Sequence, residues 1–138
     1  MIITVTMNPA IDKTVQLKAL QIGELNRLEY AELDAGGKGI NVSKTIAALG
    51  GTSIACGFLG SEGSEQILST LKAQNISCDF VMVDGRTRTN LKVMEESGRL
   101  TELNEPGMMV PVEAIHELKH KLLSYADEKA LFILSGSV

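Results

Sequence analysis

The sequence lacks the features that mark several special classes of protein. Among its 138 residues there is no tryptophan, only 4% are aromatic, and cysteine occurs just twice, at Cys56 and Cys78. Two cysteines are too few for a disulfide framework, and their apolar, β-prone surroundings predict two buried thiols in a reducing compartment. No apolar run approaches the roughly 20 residues of a membrane-spanning helix, and the first residues lack the basic region and cleavage site of a signal peptide. These absences favour a cytoplasmic protein without a membrane partner.

Neither sign of charge dominates the chain. The net charge of −4 comes from 17 acidic and 13 basic residues, and neither sign forms a long run. This balance disfavours nucleic acid as a partner, because such surfaces are usually basic. Hydrophobic residues make up 44% of the chain, which is ordinary for a globular protein, and the length suffices for one domain with a core.

Two familiar nucleotide-binding motifs are missing from the glycine-rich stretch Ala35–Val42. A phosphate-binding loop of the Walker type needs Ser or Thr directly after its lysine, but Gly39 follows Lys38 here. The dinucleotide fingerprint G-x-G-x-x-G does not occur either. The sequence therefore gives no support to a small dinucleotide-binding domain.

The same stretch predicts the entry to a helix. Apolar residues follow it at helical spacing, at Val42, Ile46 and Leu49, and Gly50–Gly51 marks the end. The start of a helix has free N–H groups and the positive end of the helix dipole, and glycine lets a ligand approach the backbone. Lys38 and Asn41 are three residues apart and share one helical face. This arrangement suits a phosphorylated or hydroxyl-rich small molecule, although a plain turn into a helix explains the glycines equally well.

The rest of the chain predicts alternating strands and helices. Helical patterns cover 61–75, with Ile67, Leu68 and Leu71 on one face, and begin again near Pro111 with an apolar stripe at Ile115, Leu118 and Leu122. This order indicates a right-handed parallel α/β sheet. The buried strands are expected at 2–7, 52–58, 78–83 and 130–134.

Polar residues follow the first and the last of these strands. Open parallel sheets bind ligands at the carboxyl ends of their strands. Asp12 comes just past the first strand and could hold a substrate hydroxyl, although turn formation is the simpler interpretation. Ser135–Ser137 follows the last strand, again on the ligand side.

Two segments, about 13–34 and 87–104, depart from the α/β order and predict a small four-stranded lid. Arg88, Asn90 and Lys92 alternate along one strand face, which is either a solvated surface or the inner face of the lid. Arg27, in an extended run predicted from Arg27 to Leu33, either points at an anionic ligand or is a solvated edge charge.

The two histidines do not predict a metal site. His116 and His120 lie one turn apart, a spacing that can bind zinc, but the sequence offers no H-E-x-x-H frame and no third ligand. We therefore expect two exposed histidines on a helix and no metal ligand.

Four stretches, in this order, resemble the motifs of PfkB-type sugar kinases: Thr4–Asp12, Gly36–Val42, Thr87–Lys92 and Ser135–Ser137. Thr101–Gly107, and Asn90 followed by Lys92, look most like the 1-phosphofructokinase branch, with the tagatose-6-phosphate kinases next. The resemblance covers the whole chain.

This resemblance implies a ribokinase-like α/β fold, in which a parallel sheet is flanked by helices and carries a small β-sheet lid. It implies transfer of the γ-phosphoryl group of ATP, with Mg²⁺, to fructose 1-phosphate, giving fructose 1,6-bisphosphate; tagatose 6-phosphate is the alternative substrate. Asp12 would hold sugar hydroxyls and Lys38, Arg27 and Arg88 would face the phosphate. The remaining residues of the implied sugar site are Gly36, Gly37, Asn41, Asn90 and Ser137.

The chain also departs from the family pattern. Members are much longer, and their catalytic aspartate lies in a Gly-Ala-Gly-Asp motif that this sequence does not contain. We therefore expect residues 1–138 to be the N-terminal part of one kinase domain, carrying the sugar side of the site, inactive alone and open at one sheet edge. A non-catalytic sugar-phosphate-binding module is the other interpretation, and a homodimer through the lid is plausible for the parent enzyme.

Overall fold

The structure, a computed structural model, describes residues 1–137. Its helices and strands follow one another along the chain as β1 (Ile2–Thr6), β2 (Ala10–Leu17), β3 (Tyr30–Gly36), α1 (Lys38–Ala48), β4 (Ile54–Glu62), α2 (Ser64–Ala73), β5 (Ser77–Arg86), β6 (Arg88–Glu95), β7 (Leu100–Asn104), α3 (Val112–Ser124) and β8 (Leu131–Leu134). None of these helices is long and apolar enough to cross a lipid bilayer.

Four strands form the parallel sheet that the sequence predicts, in the order β5-β4-β1-β8. Strands β4 and β1 are the two inner strands, and alternating residues of β4 serve two cores. Phe58 belongs to a core with Val5 of β1 and with α3, while Leu59 belongs to a second core with Ile40 of α1 and with α2. Helices therefore cover both faces of the sheet, which is the α/β arrangement expected of a ribokinase-like fold.

Helix α1 turns a different face to the sheet than its apolar spacing predicts. Its buried residues are Gly39, Ile40 and Ser43, whereas Leu49 is 83% exposed. The small residues Gly39 and Ser43 allow this face of the helix to pack closely against β1. The Ser43 hydroxyl, for example, lies 2.7 Å from the Thr4 hydroxyl in a buried hydrogen bond. The stripe at Val42, Ile46 and Leu49 is consequently only half-buried or exposed.

The predicted stripe of α3 is only partly correct. Leu118 is buried together with Ala114, but Ile115 is exposed and Leu122 is half-buried. His116 and His120 are exposed, as predicted.

Strand β8 is not the buried strand that its apolar sequence predicts. It lies at the edge of the parallel sheet, and Leu134 is 68% exposed. Beside it, an apolar groove of about 370 Å³ runs between α3 and the sheet, lined by residues that include Val5, Leu118 and Phe132. A solvent-facing apolar edge of this kind favours association with other chains.

The remaining strands form a second sheet, in the order β3-β2-β6-β7. Strands β2 and β3 are antiparallel, as are β6 and β7, and the two hairpins join through parallel pairing of β2 with β6. The cross-strand register places Asp12, Asn90 and Asn104 in one row. Polar residues of the alternating pattern therefore share one face, and that face turns toward the end of the parallel sheet.

Two expectations in this region are corrected. Asp12 lies within β2 rather than just past the end of β1 in a turn. Arg27 precedes β3, which begins at Tyr30, and is exposed in the connecting loop. That loop is ordered by Asn26, whose side chain bonds the backbone of Gln21 and Glu24. Side-chain hydrogen bonds of this kind can replace the backbone hydrogen bonds that a strand would make, so the segment forms an ordered loop instead.

The two cysteines differ, although the sequence predicts both to be buried. Cys56 is buried in β4, and burial raises the pKa of its thiol to about 11. Cys78, at the start of β5, is exposed, and burial of part of the side chain raises its thiol pKa by a smaller amount. Both are free thiols.

We predict that Cys78 reacts with a thiol reagent in the folded protein and that Cys56 does not. The measurement is the rate of labelling by iodoacetamide at pH 7.5, followed by mass spectrometry, because only an accessible thiolate reacts. The variant Cys78→Ser should label only after unfolding. Equal labelling rates of the two cysteines in the native protein would contradict the placement of β4 in the core.

Candidate substrate-binding site

A polar cavity of about 260 Å³ lies between the two sheets, at the first turn of α1 and beyond the carboxyl ends of β1 and β8. Ligands of open parallel sheets bind in this position. The walls consist of polar and charged residues and of glycine, namely Thr6, Asn8, Asp12, Gly37, Lys38, Asn41, Arg88, Asn90, Lys92, Glu102, Asn104, Ser135, Gly136 and Ser137.

The glycines before and within α1 bring its first turn against β1 and β2. A Cβ on Gly36 would lie 2.6 Å from the carboxylate carbon of Asp12. A Cβ on Gly39 would lie 2.6 Å from the backbone oxygen of Val5 and 2.5 Å from the hydroxyl of Thr6. Gly37 has φ of 114°, which favours glycine. The glycine motif is therefore required for close packing as well as suited to ligand binding. Glycine at position 36 leaves the space that the Asp12 carboxylate occupies.

The first turn of α1 is open toward an anion. Gly37 is its N-cap residue, and no side chain of the described chain caps it. Such a turn presents free backbone N–H groups and the positive end of the helix dipole. Lys38, the first residue of the helix, and Asn41 both line the cavity.

Arg88 adds a positive charge that no carboxylate of residues 1–137 pairs with. Its guanidinium donates to the backbone oxygens of Pro9, Glu105 and Asn8, at 3.3, 3.4 and 3.4 Å. These acceptors are uncharged, so they position the group without cancelling its charge. Among residues 1–137, neither Arg88 nor Lys38 takes part in an ion pair. The cavity thus combines a helix start with two cations that form no ion pair among residues 1–137, an arrangement suited to phosphate.

Asp12 supplies a carboxylate acceptor to the cavity. It receives hydrogen bonds from Asn90 Nδ2 at 3.2 Å and from Lys92 Nζ at 3.0 Å. The side chain is 17% exposed. Two donors hold the carboxylate from its own sheet, which fixes its position and leaves lone pairs for hydroxyl groups of a ligand.

Two buried side-chain atoms in residues 1–137 have no hydrogen-bond partner, Thr6 Oγ1 and Asn90 Oδ1. Leaving such an atom unpaired costs about 1–3 kcal/mol, so native structures contain few of them. Both residues line this one cavity. Concentration of unsatisfied polar groups in one place is a sign of a binding site.

The structure brings together seven of the nine predicted site residues: Asp12, Gly37, Lys38, Asn41, Arg88, Asn90 and Ser137. Gly36 does not line the cavity, because it packs behind Asp12. Arg27 does not line it either, since it lies exposed in the loop before β3.

The sequence prediction missed several residues of the cavity. Lys92 was available from the alternation of Arg88, Asn90 and Lys92 on one strand face. Glu102 and Asn104 could be placed only with the register of β6 against β7, which pairs Lys92 with Glu102 and Asn90 with Asn104. The other missed residues are Thr6, Asn8, Ser135 and Gly136.

We predict that Arg88→Met weakens the binding of inorganic phosphate to the cavity about tenfold or more, because a charge-assisted hydrogen bond is lost. The measurement is the dissociation constant from ³¹P NMR titration. Arg86→Met is the matched control, since Arg86 pairs with Glu105 on the surface at 2.7 Å and does not line the cavity. An equal loss of phosphate affinity in the two variants, or no loss in Arg88→Met, would contradict a phosphate site at Arg88.

The sequence and the fold are similar to those of known carbohydrate kinases. The 1-phosphofructokinase of Vibrio cholerae is 32% identical over 137 residues, which cover 99% of this chain and 43% of that protein. The tagatose-6-phosphate kinase of Staphylococcus epidermidis is 32% identical over 138 residues, covering 100% of this chain and 44% of that protein. The crystal structure of phosphofructokinase-2 from Escherichia coli with fructose-6-phosphate aligns with a TM-score of 0.93 and 29% identity, covering 99% of this chain and 45% of that one.

The chain thus spans less than half the length of these relatives. The family model for pfkB family carbohydrate kinases matches residues 5–138. That match includes every residue that lines the polar cavity and both sheets except residues 2–4 of β1. The chain belongs to the pfkB family of carbohydrate kinases.

Proposed function

We propose that the protein phosphorylates fructose 1-phosphate to fructose 1,6-bisphosphate with ATP, and that this chain forms the sugar-phosphate side of the site. The observation that carries the proposal is the polarity of the cavity. Lys38 and Arg88, neither of which forms an ion pair among residues 1–137, line it together with the carboxylate of Asp12. The relatives named 1-phosphofructokinase add support.

In this proposal the phosphate already on the sugar binds at Lys38, Arg88 and the first turn of α1. Asp12 accepts hydrogen bonds from sugar hydroxyls, and Asn41 and Ser137 complete the pocket. Phosphoryl transfer depends chiefly on placing the reacting groups and stabilising charge. These residues contribute the placement of the sugar.

ATP and Mg²⁺ are the cofactors we propose for the whole protein, but the described residues do not fit them. Residues 1–137 hold no group of three or more His, Cys, Asp or Glu side chains that could bind a metal ion. Asp12 is engaged by Lys92. An Asn-x-x-Glu string, which the family uses to help place magnesium, occurs at Asn26–Glu29, on the loop before β3 and outside the cavity.

We propose further that residues 1–138 are the N-terminal part of one kinase domain, with lid segments at about 13–34 and 87–104. The second sheet, built from β2, β3, β6 and β7, supports this division. The cytoplasm is the location we propose, where phosphorylated sugars and ATP occur together and free thiols persist.

Two alternatives are separated by experiment. Tagatose 6-phosphate is the other candidate substrate, because the Staphylococcus epidermidis relative carries that name. The second alternative is a non-catalytic module that binds a sugar phosphate. It is favoured because the cavity residues suit a sugar phosphate, whereas the described residues do not fit ATP and Mg²⁺.

We predict no ATP-dependent turnover by this chain and measurable binding of fructose 1-phosphate by calorimetry, because the sugar side alone cannot stabilise the transferring phosphoryl group. Fructose 6-phosphate and tagatose 6-phosphate are compared in parallel. Asp12→Asn should weaken binding of the preferred sugar about tenfold or more, since a charged acceptor is lost.

Turnover selective for fructose 1-phosphate would support the substrate and contradict the inactivity of the chain. Tighter binding of tagatose 6-phosphate would move the assignment to that branch. Binding of none of the three sugars would contradict the proposed site.

We also propose that the second sheet carries a homodimer contact. On the face turned away from the cavity, one cross-strand row runs Leu33, Lys13, Leu91 and Leu103. Leu33 is 49% exposed and Leu103 57% exposed. Exposed apolar patches of this kind mark interaction sites. One structure of the Escherichia coli relative is described as a tetrameric inhibited form.

Light scattering coupled to gel filtration tests this contact. We predict that Leu33→Lys combined with Leu103→Glu halves the measured mass, because charges replace apolar contacts. Leu49→Lys, on the exposed side of α1, is the control. A monomeric unmodified chain, or a dimer that survives the double substitution, would contradict the contact.

A further inference from the structure

An ion pair outside the cavity joins Lys44 of α1 to Asp34 of β3, with Lys44 Nζ 2.5 Å from Asp34 Oδ2. Neither residue is among those that line the cavity. We propose that Lys44 is a positioning residue: by cancelling the charge of Asp34, it leaves Lys92 to Asp12 and so keeps the Asp12 carboxylate in place for a ligand. The proposal rests on the proposed function, in which Asp12 binds that ligand.

The need for this ion pair comes from two carboxylates that lie opposite each other. Asp34 is the cross-strand neighbour of Asp12 in the antiparallel pairing of β2 with β3. Residues in this position share one face of the sheet, with Cβ atoms about 4.5–5.5 Å apart, and like charges there are destabilising. The side chain of Asp12 is only 17% exposed, so solvent screens its charge incompletely. Each carboxylate therefore needs a cation of its own.

The structure provides one lysine for each carboxylate. Lys92 donates to Asp12 at 3.0 Å. Lys44 donates to Asp34 and, at 3.1 Å, to the backbone oxygen of Ala35. The other oxygen of Asp34 accepts from the backbone N–H of Ala35 at 2.8 Å, so both of its oxygens are engaged. The opposed carboxylates are thus neutralised separately, each by a lysine from a different element.

Lys92 is not free to neutralise a further carboxylate. Its cross-strand neighbour in β7 is Glu102, which also lines the cavity, so Lys92 already faces Glu102 as well as Asp12. Without Lys44, the charge of Asp34 would repel Asp12 and attract Lys92 away from it. The Lys44 side chain is 19% exposed, so its attraction for Asp34 is screened less than on an open surface. Loss of Lys44 would therefore weaken the support of Asp12.

The position of Lys44 on α1 also permits a purely mechanical role. Gly37 is the one residue between β3 and α1, and Lys44 reaches back across this turn to the strand. Lys44 lies three residues after Asn41, which lines the cavity, so the two share one face of the helix. A clamp that holds the turn would act through this geometry and not through the charge of Asp34. The experiment must separate the two mechanisms.

A double-mutant cycle separates charge from clamping. Calorimetry measures the affinity for fructose 1-phosphate of the unmodified chain, Lys44→Met, Asp34→Asn and the double variant. We predict that Lys44→Met weakens binding about fivefold, a modest loss because Asp34 is partly exposed. The double variant should bind within about twofold of the unmodified chain, since the charge that Lys44 cancels is gone. Lys44→Arg, which keeps the charge, should also bind within about twofold.

A second readout needs no ligand. The side-chain amide of Asn90 donates to Asp12 at 3.2 Å, so its NMR resonances report on that carboxylate. They should shift in Lys44→Met and return in the double variant. Lys121→Met is the matched control, because Lys121 pairs with Asp79 at 2.6 Å away from the cavity. It should change neither the affinity nor the Asn90 resonances.

Weakening of the same size in Lys44→Met and the double variant would show a clamp and overturn the proposal, and so would an unchanged affinity in Lys44→Met. If Lys44→Met does not fold, Asp34→Asn should restore folding, and a double variant that also fails to fold would overturn the charge role. Failure of the unmodified chain to bind fructose 1-phosphate would reject the proposed function alone. The Asn90 resonances would then still decide whether Lys44 acts on Asp12, because absence of a shift in Lys44→Met would overturn that role.

Discussion

The close packing of the first turn of α1 against β1 and β2 is the constraint on which the cavity depends. Glycine at positions 36, 37 and 39 lets this turn approach Asp12, Thr6 and the backbone of Val5 to distances that a Cβ would forbid. The same approach places the free N–H groups of the helix opposite the polar face of the second sheet. Without it, the helix start and Lys38 would lie farther from Asp12 and from the polar face of the second sheet.

The charge distribution of the cavity follows from the way each group is supported. Arg88 is held by uncharged backbone oxygens and therefore keeps its full charge for a ligand. Asp12, in contrast, is fixed in place by hydrogen bonds from Lys92 and Asn90. The Oδ1 atom of Asn90 has no hydrogen-bond partner among residues 1–137. A phosphorylated polyol offers a phosphate to the cations and hydroxyl groups to the carboxylate, whereas a ligand with only one of these groups would leave part of the site without a partner.

Much of the fold could be predicted from the sequence, because hydrophobic period and glycine position are local signals. The parallel sheet, the hairpin of β6 and β7, and the helix start at Lys38 are all confirmed. The errors concern features that only tertiary packing decides. The buried face of α1 is determined by its small residues rather than by its apolar stripe. Strand β8 is exposed because it lies at the edge of its sheet. Glu102 and Asn104 reach the cavity through the register of β7 against β6. Arg27 lies outside the cavity because β3 begins only at Tyr30, which leaves Arg27 in the preceding loop.

The most direct test of this account is an NMR titration of the chain with fructose 1-phosphate, compared with unphosphorylated fructose. The account predicts that the phosphorylated sugar shifts the backbone amides of Gly37, Lys38 and Gly39 and the Nε resonance of Arg88, and that fructose alone leaves these four nearly unchanged. Shifts confined to the groove between α3 and β8, or equal shifts with both sugars, would contradict a phosphate site at the start of α1.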